Sequence, residues 1–127
     1  MHKSRRLLFI LFLIVATVLI FDEKTGEPDY YETGEASYYA LSLQGRVTAS
    51  GEPFHHDSLT AAHQTLPLGT RLMVVNLENQ RSVIVRVNDR GPFAKDRILD
   101  LSRAAFKELA PLEEGVIRVG IVRMESD

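Results

Sequence analysis

Cysteine is absent from the 127 residues. With it go disulfide frameworks, thiolate zinc centres, cysteine nucleophiles and the lipidated cysteine of a bacterial lipoprotein. Tryptophan is absent too, which removes the largest aromatic platform for stacking a ligand. No acidic residue precedes Asp22, whereas Lys3, Arg5 and Arg6 do. Setting those three bases aside leaves 12 Lys and Arg against 17 Asp and Glu, a balance of −5 with no basic run. Phosphate contacts dominate nucleic-acid affinity, so no nucleic-acid partner is expected. What remains is ordinary: 45% hydrophobic and 25% charged residues, in a length that holds one domain.

The first long feature is apolar. Leu7 to Phe21 carries no charge over fifteen residues and follows the basic Lys3, Arg5 and Arg6. A basic end before a short apolar run is the pattern of an export signal. Fifteen helical residues reach about 22 Å, short of the roughly 30 Å hydrocarbon core. Ala16, Thr17 and Val18 lie within the run, and no small-residue cleavage site follows it. Residues 1–21 are therefore expected to be a signal peptide or signal anchor. Their basic end stays cytoplasmic, the remainder is exported into the cell envelope, and membrane contact runs through this segment if it is uncleaved. Residues 22–33 hold five acids, one lysine, one glycine and one proline, and are expected to be a solvated linker. The folded domain is expected over 34–124.

Within it, strand patterns dominate. Arg71 to Asn76 and Ser82 to Val87 flank the polar turn Glu78-Asn79-Gln80, which predicts a hairpin. Val83, Val85 and Val87 share one face at period two. Val116 to Met124 alternates as well, with Ile117, Val119 and Ile121 inward and Arg118 and Arg123 outward. Gly34 to Tyr39 predicts a first short strand. One helix is expected from Ser102 to Ala110, capped by Asp100 or Ser102, with Leu101, Ala105 and Leu109 on one stripe and Pro111 ending it. Short strands with one small helix predict a compact, mainly β barrel.

Polar chemistry gathers in two stretches, Thr48 to Thr70 and Asn88 to Phe93. Asp89 reads either as the acceptor of a turn at Gly91-Pro92, paired with Arg90, or as an acid/base group. Glu52, between Gly51 and Pro53, is a solvated loop carboxylate or the partner of Asp89. Two carboxylates sharing a cleft do not ionise together easily, which leaves one of them a proton donor near neutral pH. Cleavage of a glycosidic bond needs such an arrangement. His63 lies in a mostly apolar stretch and is either half-buried on backbone partners or an orienting group for a carboxylate. His55-His56-Asp57 with His63 matches no familiar zinc spacing, so neither a metal nor another cofactor is expected. Ser37 and Ser50 lack a nucleophile elbow.

Five motifs in order resemble the rare lipoprotein A (RlpA) family. They are Gly34 to Tyr39, Thr48 to Phe54, Leu59 to His63 with Thr65 to Thr70 and Val75-Asn76-Leu77, Asn88 to Phe93, and Arg97 to Ala105. The resemblance implies a six-stranded double-psi β-barrel with one or two short helices, related to expansins and barwin-like proteins. It implies an endolytic lytic transglycosylase acting on peptidoglycan glycan strands, with a preference for strands stripped of peptide. By motif, the family's acidic pair and histidine fall on Glu52, Asp89 and His63. Family members are typically lipoproteins, and many carry a glycan-binding SPOR domain. The expectation here is a monomeric barrel without lipid and without that domain.

On this resemblance Asp89 is the first choice for general acid, and Asp89 or Glu52 deprotonates the 6-hydroxyl of N-acetylmuramic acid (MurNAc). That hydroxyl attacks C1 within the substrate, giving a 1,6-anhydro sugar without water. His63 would orient Glu52 or bind sugar, while Asn88, Arg90 and Tyr38 would line the cleft. The alternative is a noncatalytic, expansin-like peptidoglycan-binding module, with Tyr38, Tyr39, Phe54 and Phe93 as stacking rings.

Overall fold

The computed structural model describes residues 29–125. The expected export segment at 1–21, and residues 22–28 of the expected linker, lie outside the described residues. Six strands, β1 (Glu32–Tyr38), β2 (Thr60–Ala62), β3 (Arg71–Asn76), β4 (Ser82–Asp89), β5 (Arg97–Leu101) and β6 (Ile117–Arg123), close into one barrel. Their order around the ring is β1-β5-β2-β4-β3-β6. The pairs β1/β5 and β2/β4 are parallel and the other four are antiparallel. Closure pairs each of these six described strands on both sides.

The period-two valines do what their spacing demands. Val83, Val85 and Val87 of β4 point into the barrel, where they meet Leu72 and Val74 of β3, Leu99 and Leu101 of β5, and Val119 and Ile121 of β6. The expected hairpin is β3/β4, with Met73 opposite Ile84 and Val74 opposite Val83. Gln80 takes a positive φ of 66° in its turn. Arg118 and Arg123 face outward as their alternation requires.

Two strand boundaries depart from expectation, and two strands are added. β1 starts at Glu32 rather than Gly34, because Glu32 and Thr33 pair with Ile121 and Gly120 of β6. β4 runs to Asp89, so Asn88 and Asp89 belong to the strand itself. Two further strands join the expected ones. β2 is three residues long and wholly buried, so it shows no alternation. β5 ends at Leu101, which takes that residue out of the helix.

The helix α1 (Arg103–Leu109) lays Ala105, Phe106 and Leu109 on the core. Ser102 is its cap: the hydroxyl accepts the Ala105 N–H at 3.2 Å. At the other end the Leu109 carbonyl accepts Asn76 Nδ2 and Asn79 Nδ2, each at 3.0 Å, which satisfies one of the orphan carbonyls of the last turn. Single-turn 3₁₀ segments at Leu41–Leu43 and Leu112–Glu114 complete the described elements.

Candidate active site

Asp89 ends β4 with three donors on its carboxylate. Its Oδ2 accepts the Tyr39 hydroxyl at 2.6 Å. Its Oδ1 accepts the backbone N–H of Ala49 and of Arg90, each at 2.9 Å. Burial and the Asp89 carboxylate push the Tyr39 phenol far above its ordinary range, so it stays a donor. The Tyr39 ring is fixed in turn by stacking on buried Phe54 at 4.2 Å between centroids. The expected Arg90–Asp89 ion pair does not form. The Arg90 guanidinium donates instead to the carbonyls of His63 and Leu66, at 3.2 and 2.7 Å.

A cleft of about 410 Å³ opens against Asp89. Tyr38 and Arg90 line it, as expected, together with Tyr39, Arg46, Arg97 and Asp100. Asp100 is half-buried, and burial followed by the charge of Asp89 raises its carboxyl, against the lowering effect of Arg97 at 3.5 Å. A larger hollow of about 610 Å³ between Gly69–Arg71 and Arg123–Glu125 contains none of the expected acid/base residues.

Glu52 does not share the cleft. It sits after a tight turn in which the Thr48 N–H reaches the Glu52 carbonyl at 2.9 Å and Gly51 takes a φ of +92°, a conformation that glycine adopts without a Cβ clash. The Ser50 N–H docks this turn on the Asn88 carbonyl at 3.0 Å. The Glu52 carboxylate meets Arg86 Nη1 at 2.7 Å and Asn88 Nδ2 at 3.0 Å. Arg86 first, then Asn88, hold Glu52 below the usual carboxylate range. The expectation that Glu52 and Asp89 perturb one another in a shared cleft is therefore replaced by two separate environments. Asn88, expected in the cleft wall, is buried beneath Glu52 as its donor.

His63 takes the backbone-satisfied role. Its Nδ1 accepts the N–H groups of Thr65 and Leu66, both at 3.1 Å. The ring proton is then on Nε2, which donates to Glu32 at 2.9 Å. The ring nitrogens of His63 are thus taken by Glu32, Thr65 and Leu66, and Glu52 is not among their partners. His63 reaches Asp89 through the main chain, its N–H bonding the Asp89 carbonyl at 3.1 Å. His55 and His56 bond Gln44 and the Ala40 carbonyl, and no group of three metal-binding side chains forms among the described residues.

Tyr38 is mostly a packing residue. Its hydroxyl bonds the Leu112 carbonyl at 2.8 Å, and its ring meets Phe106 edge-on with the Arg103 guanidinium above it. Phe54 is core, whereas Phe93 is 79% exposed. Sequence reading missed Arg86, Glu32 and Asp100 as partners of the site. For Asp100 the signal was present, a polar residue between inward-facing Leu99 and Leu101 in the Arg97 to Ala105 motif.

Comparison with known proteins agrees with this architecture. Residues 31–121 match the family model described as lytic transglycolase. The chain is 50% identical over 98 residues to the endolytic peptidoglycan transglycosylase RlpA of Pasteurella multocida, covering 76% of this chain and 33% of that protein. It is 51% identical over 92 residues to the RlpA of Pseudomonas aeruginosa, covering 72% and 27%. The chain therefore matches about a third of the length of these curated relatives. Among solved structures, a Streptomyces papain inhibitor superposes with a TM-score of 0.56 at 30% identity, covering 75% of this chain and 98% of the other. An expansin of Clavibacter michiganensis superposes at 0.59 with 26% identity, covering 75% and 50%. The ring of six strands is the double-psi β-barrel shared with these proteins, and the chain belongs to the lytic transglycolase family that includes RlpA.

Proposed function

We propose that the barrel is an exported lytic transglycosylase that cuts the β-1,4 bond between MurNAc and N-acetylglucosamine in peptidoglycan glycan strands and leaves 1,6-anhydro-MurNAc ends. One observation carries the reading. Asp89, at the wall of an open cleft, is fixed by the Tyr39 hydroxyl and two backbone amides. A carboxylate held this way is positioned before substrate arrives, which is what proton transfer and orientation require. The nucleophile belongs to the substrate, so the protein needs acid/base groups and a groove rather than a serine or metal. Family membership and the names of the relatives supply the substrate class.

Glu52, ion-paired and outside the cleft, serves as an anionic rim that positions the strand rather than as an acid. His63 is a positioning residue that ties the 63–66 turn to the end of β4. Residues 1–21 deliver the domain to the envelope, and N-terminal sequencing of the mature protein reads whether they are retained. The noncatalytic reading draws on exposed Phe93, a ring free to stack on sugar. The other aromatics favour it less, since Tyr39 is covered on one face by Phe54 and Tyr38 packs between Phe106 and Arg103.

The test is digestion of intact and amidase-treated sacculi by the purified full chain, read by mass spectrometry. Fragments ending in 1,6-anhydro-MurNAc are expected, and none from Asp89→Asn. Reducing ends would mean attack by water. No fragments, with protein bound to sacculi, would replace the enzyme by a binding module.

A further inference from the structure

Two carboxylates occupy one row of the sheet. Ala62 of β2 pairs with Asp89 of β4 on one side and with Asp100 of β5 on the other. The β2/β4 register shifts at a bulge between Ala61 and Ala62, and strands lie about 4.8 Å apart, so the Asp89 and Asp100 backbones flank Ala62 at roughly 10 Å from one another. Both line the same cleft. Their bonding differs. Asp89 already accepts three hydrogen bonds over its two oxygens. Asp100 has one long contact, Arg97 Nη1 at 3.5 Å, and its second oxygen has no described partner. The charged or titratable groups that share the cleft with Asp100 are Tyr38, Tyr39, Arg46, Asp89, Arg90 and Arg97.

We infer that Asp100 is the general acid of this cleft and Asp89 its general base. The assignment rests on the transglycosylase reading above. Asp100 passes its carboxyl proton to the bridging oxygen as the bond from that oxygen to C1 of MurNAc breaks. Asp89 takes the proton of the 6-hydroxyl as its oxygen bonds to the same C1. One proton is lost by Asp100 and one gained by Asp89, so exchange with solvent resets the pair and no water enters the product. Half-burial, opposed by Arg97 and helped by the Asp89 charge, raises the Asp100 carboxyl above its ordinary value, the direction a proton donor needs. The hydrogen bonds on Asp89 orient it as an acceptor. Glu52, held low by Arg86, cannot take the acid's place.

The experiment pairs two substrates. Wild type, Asp100→Asn and Asp89→Asn full chains are assayed on amidase-treated glycan and on an aryl glycoside of MurNAc, whose phenolate leaves without protonation. Asp100→Asn is expected to lose about 10²–10⁴-fold on glycan and to stay within about tenfold of wild type on the aryl glycoside, the signature of a missing acid. Asp89→Asn is expected to fail on both. Equal loss of both substrates in Asp100→Asn, or full activity on glycan, overturns the assignment while wild-type anhydro products keep the function standing. Wild type without anhydro products overturns function and assignment together.

Arg97→Gln is a second route that leaves Asp100 in place. Removing the cation that lowers Asp100 should move the alkaline limb of kcat/KM to higher pH. An unmoved or lowered limb speaks against Asp100 as the acid.

Discussion

Glu52 and Asp100 are carboxylates of one small barrel, pushed in opposite directions. Glu52 lies on an exposed turn, where an arginine and an amide reach it and water surrounds the rest, so its charge is favoured. Asp100 lies in a strand beneath the cleft, half-buried, with another carboxylate across Ala62 and an Arg97 ion pair at 3.5 Å that only partly offsets its burial. A family motif marks Glu52 and Asp89 as a pair. The folded chain instead couples Asp89 to Asp100, because register across β4, β2 and β5 decides which carboxylates share a field.

The sharpest break in this comparison is Asp89→Asn, expected to lower transglycosylase turnover about 10²–10⁴-fold while Glu52→Gln leaves measurable activity, as followed by release of anhydro-muropeptides. Tyr39→Phe comes next. It keeps the ring on Phe54 and deletes one hydrogen bond to a charged acceptor, worth about 1.5–3 kcal/mol, so kcat/KM should fall roughly ten- to a hundredfold. His63→Ala should act on stability more than on chemistry. Two backbone amides lose their acceptor, costing about 2–3 kcal/mol in urea unfolding, and an equal loss of kcat at temperatures where the variant is folded would contradict that role.

The smallest effect belongs to the exposed side. Arg86→Gln should cost no more than about 0.5 kcal/mol, as exposed ion pairs do. Glu52 has a lowered folded-state pKa, so the stability it lends is present above its unfolded pKa of about 4.3 and is lost as pH falls through the folded value. Arg86→Gln should flatten that acid-side loss in unfolding midpoints measured from pH 6 downward. Asp100 has the opposite sign. Its raised pKa makes the barrel less stable as pH rises from the unfolded value of about 3.9 through the folded one, so Asp100→Asn should raise the melting midpoint at pH 7.

Much of the barrel was legible in the chain because burial there follows period two. Val83, Val85 and Val87 announce β4, and Ile117, Val119 and Ile121 announce β6. The polar 78–80 turn announces the hairpin between β3 and β4. Ser102 and Pro111 bound the helix for local reasons of capping and a missing N–H. β2 was not legible, since three residues buried on both sides carry no alternation. The site was legible only in part. Asp89 could be singled out from its motif, yet its partner Tyr39 is 50 residues away and meets it only after closure. Asp100 looked like a helix cap because the helix begins three residues later, at Arg103. His63 was placed beside Glu52 by motif, whereas its ring bonds Glu32 from the first strand, a contact that no local pattern encodes.

The ring order β1-β5-β2-β4-β3-β6 has a kinetic consequence. β5 enters between β1 and β2, and β6 closes the gap between β3 and β1. Nearly every contact that shapes the cleft is therefore remote in sequence, an arrangement of high contact order that folds slowly for its size. A chain emerging from its N-terminus has Glu52 and Asp89 long before the barrel can close, but it has no cleft until β5 is inserted. The cleft is therefore a late product of folding, and a barrel that has not yet admitted β5 lacks the wall that Arg97 and Asp100 supply.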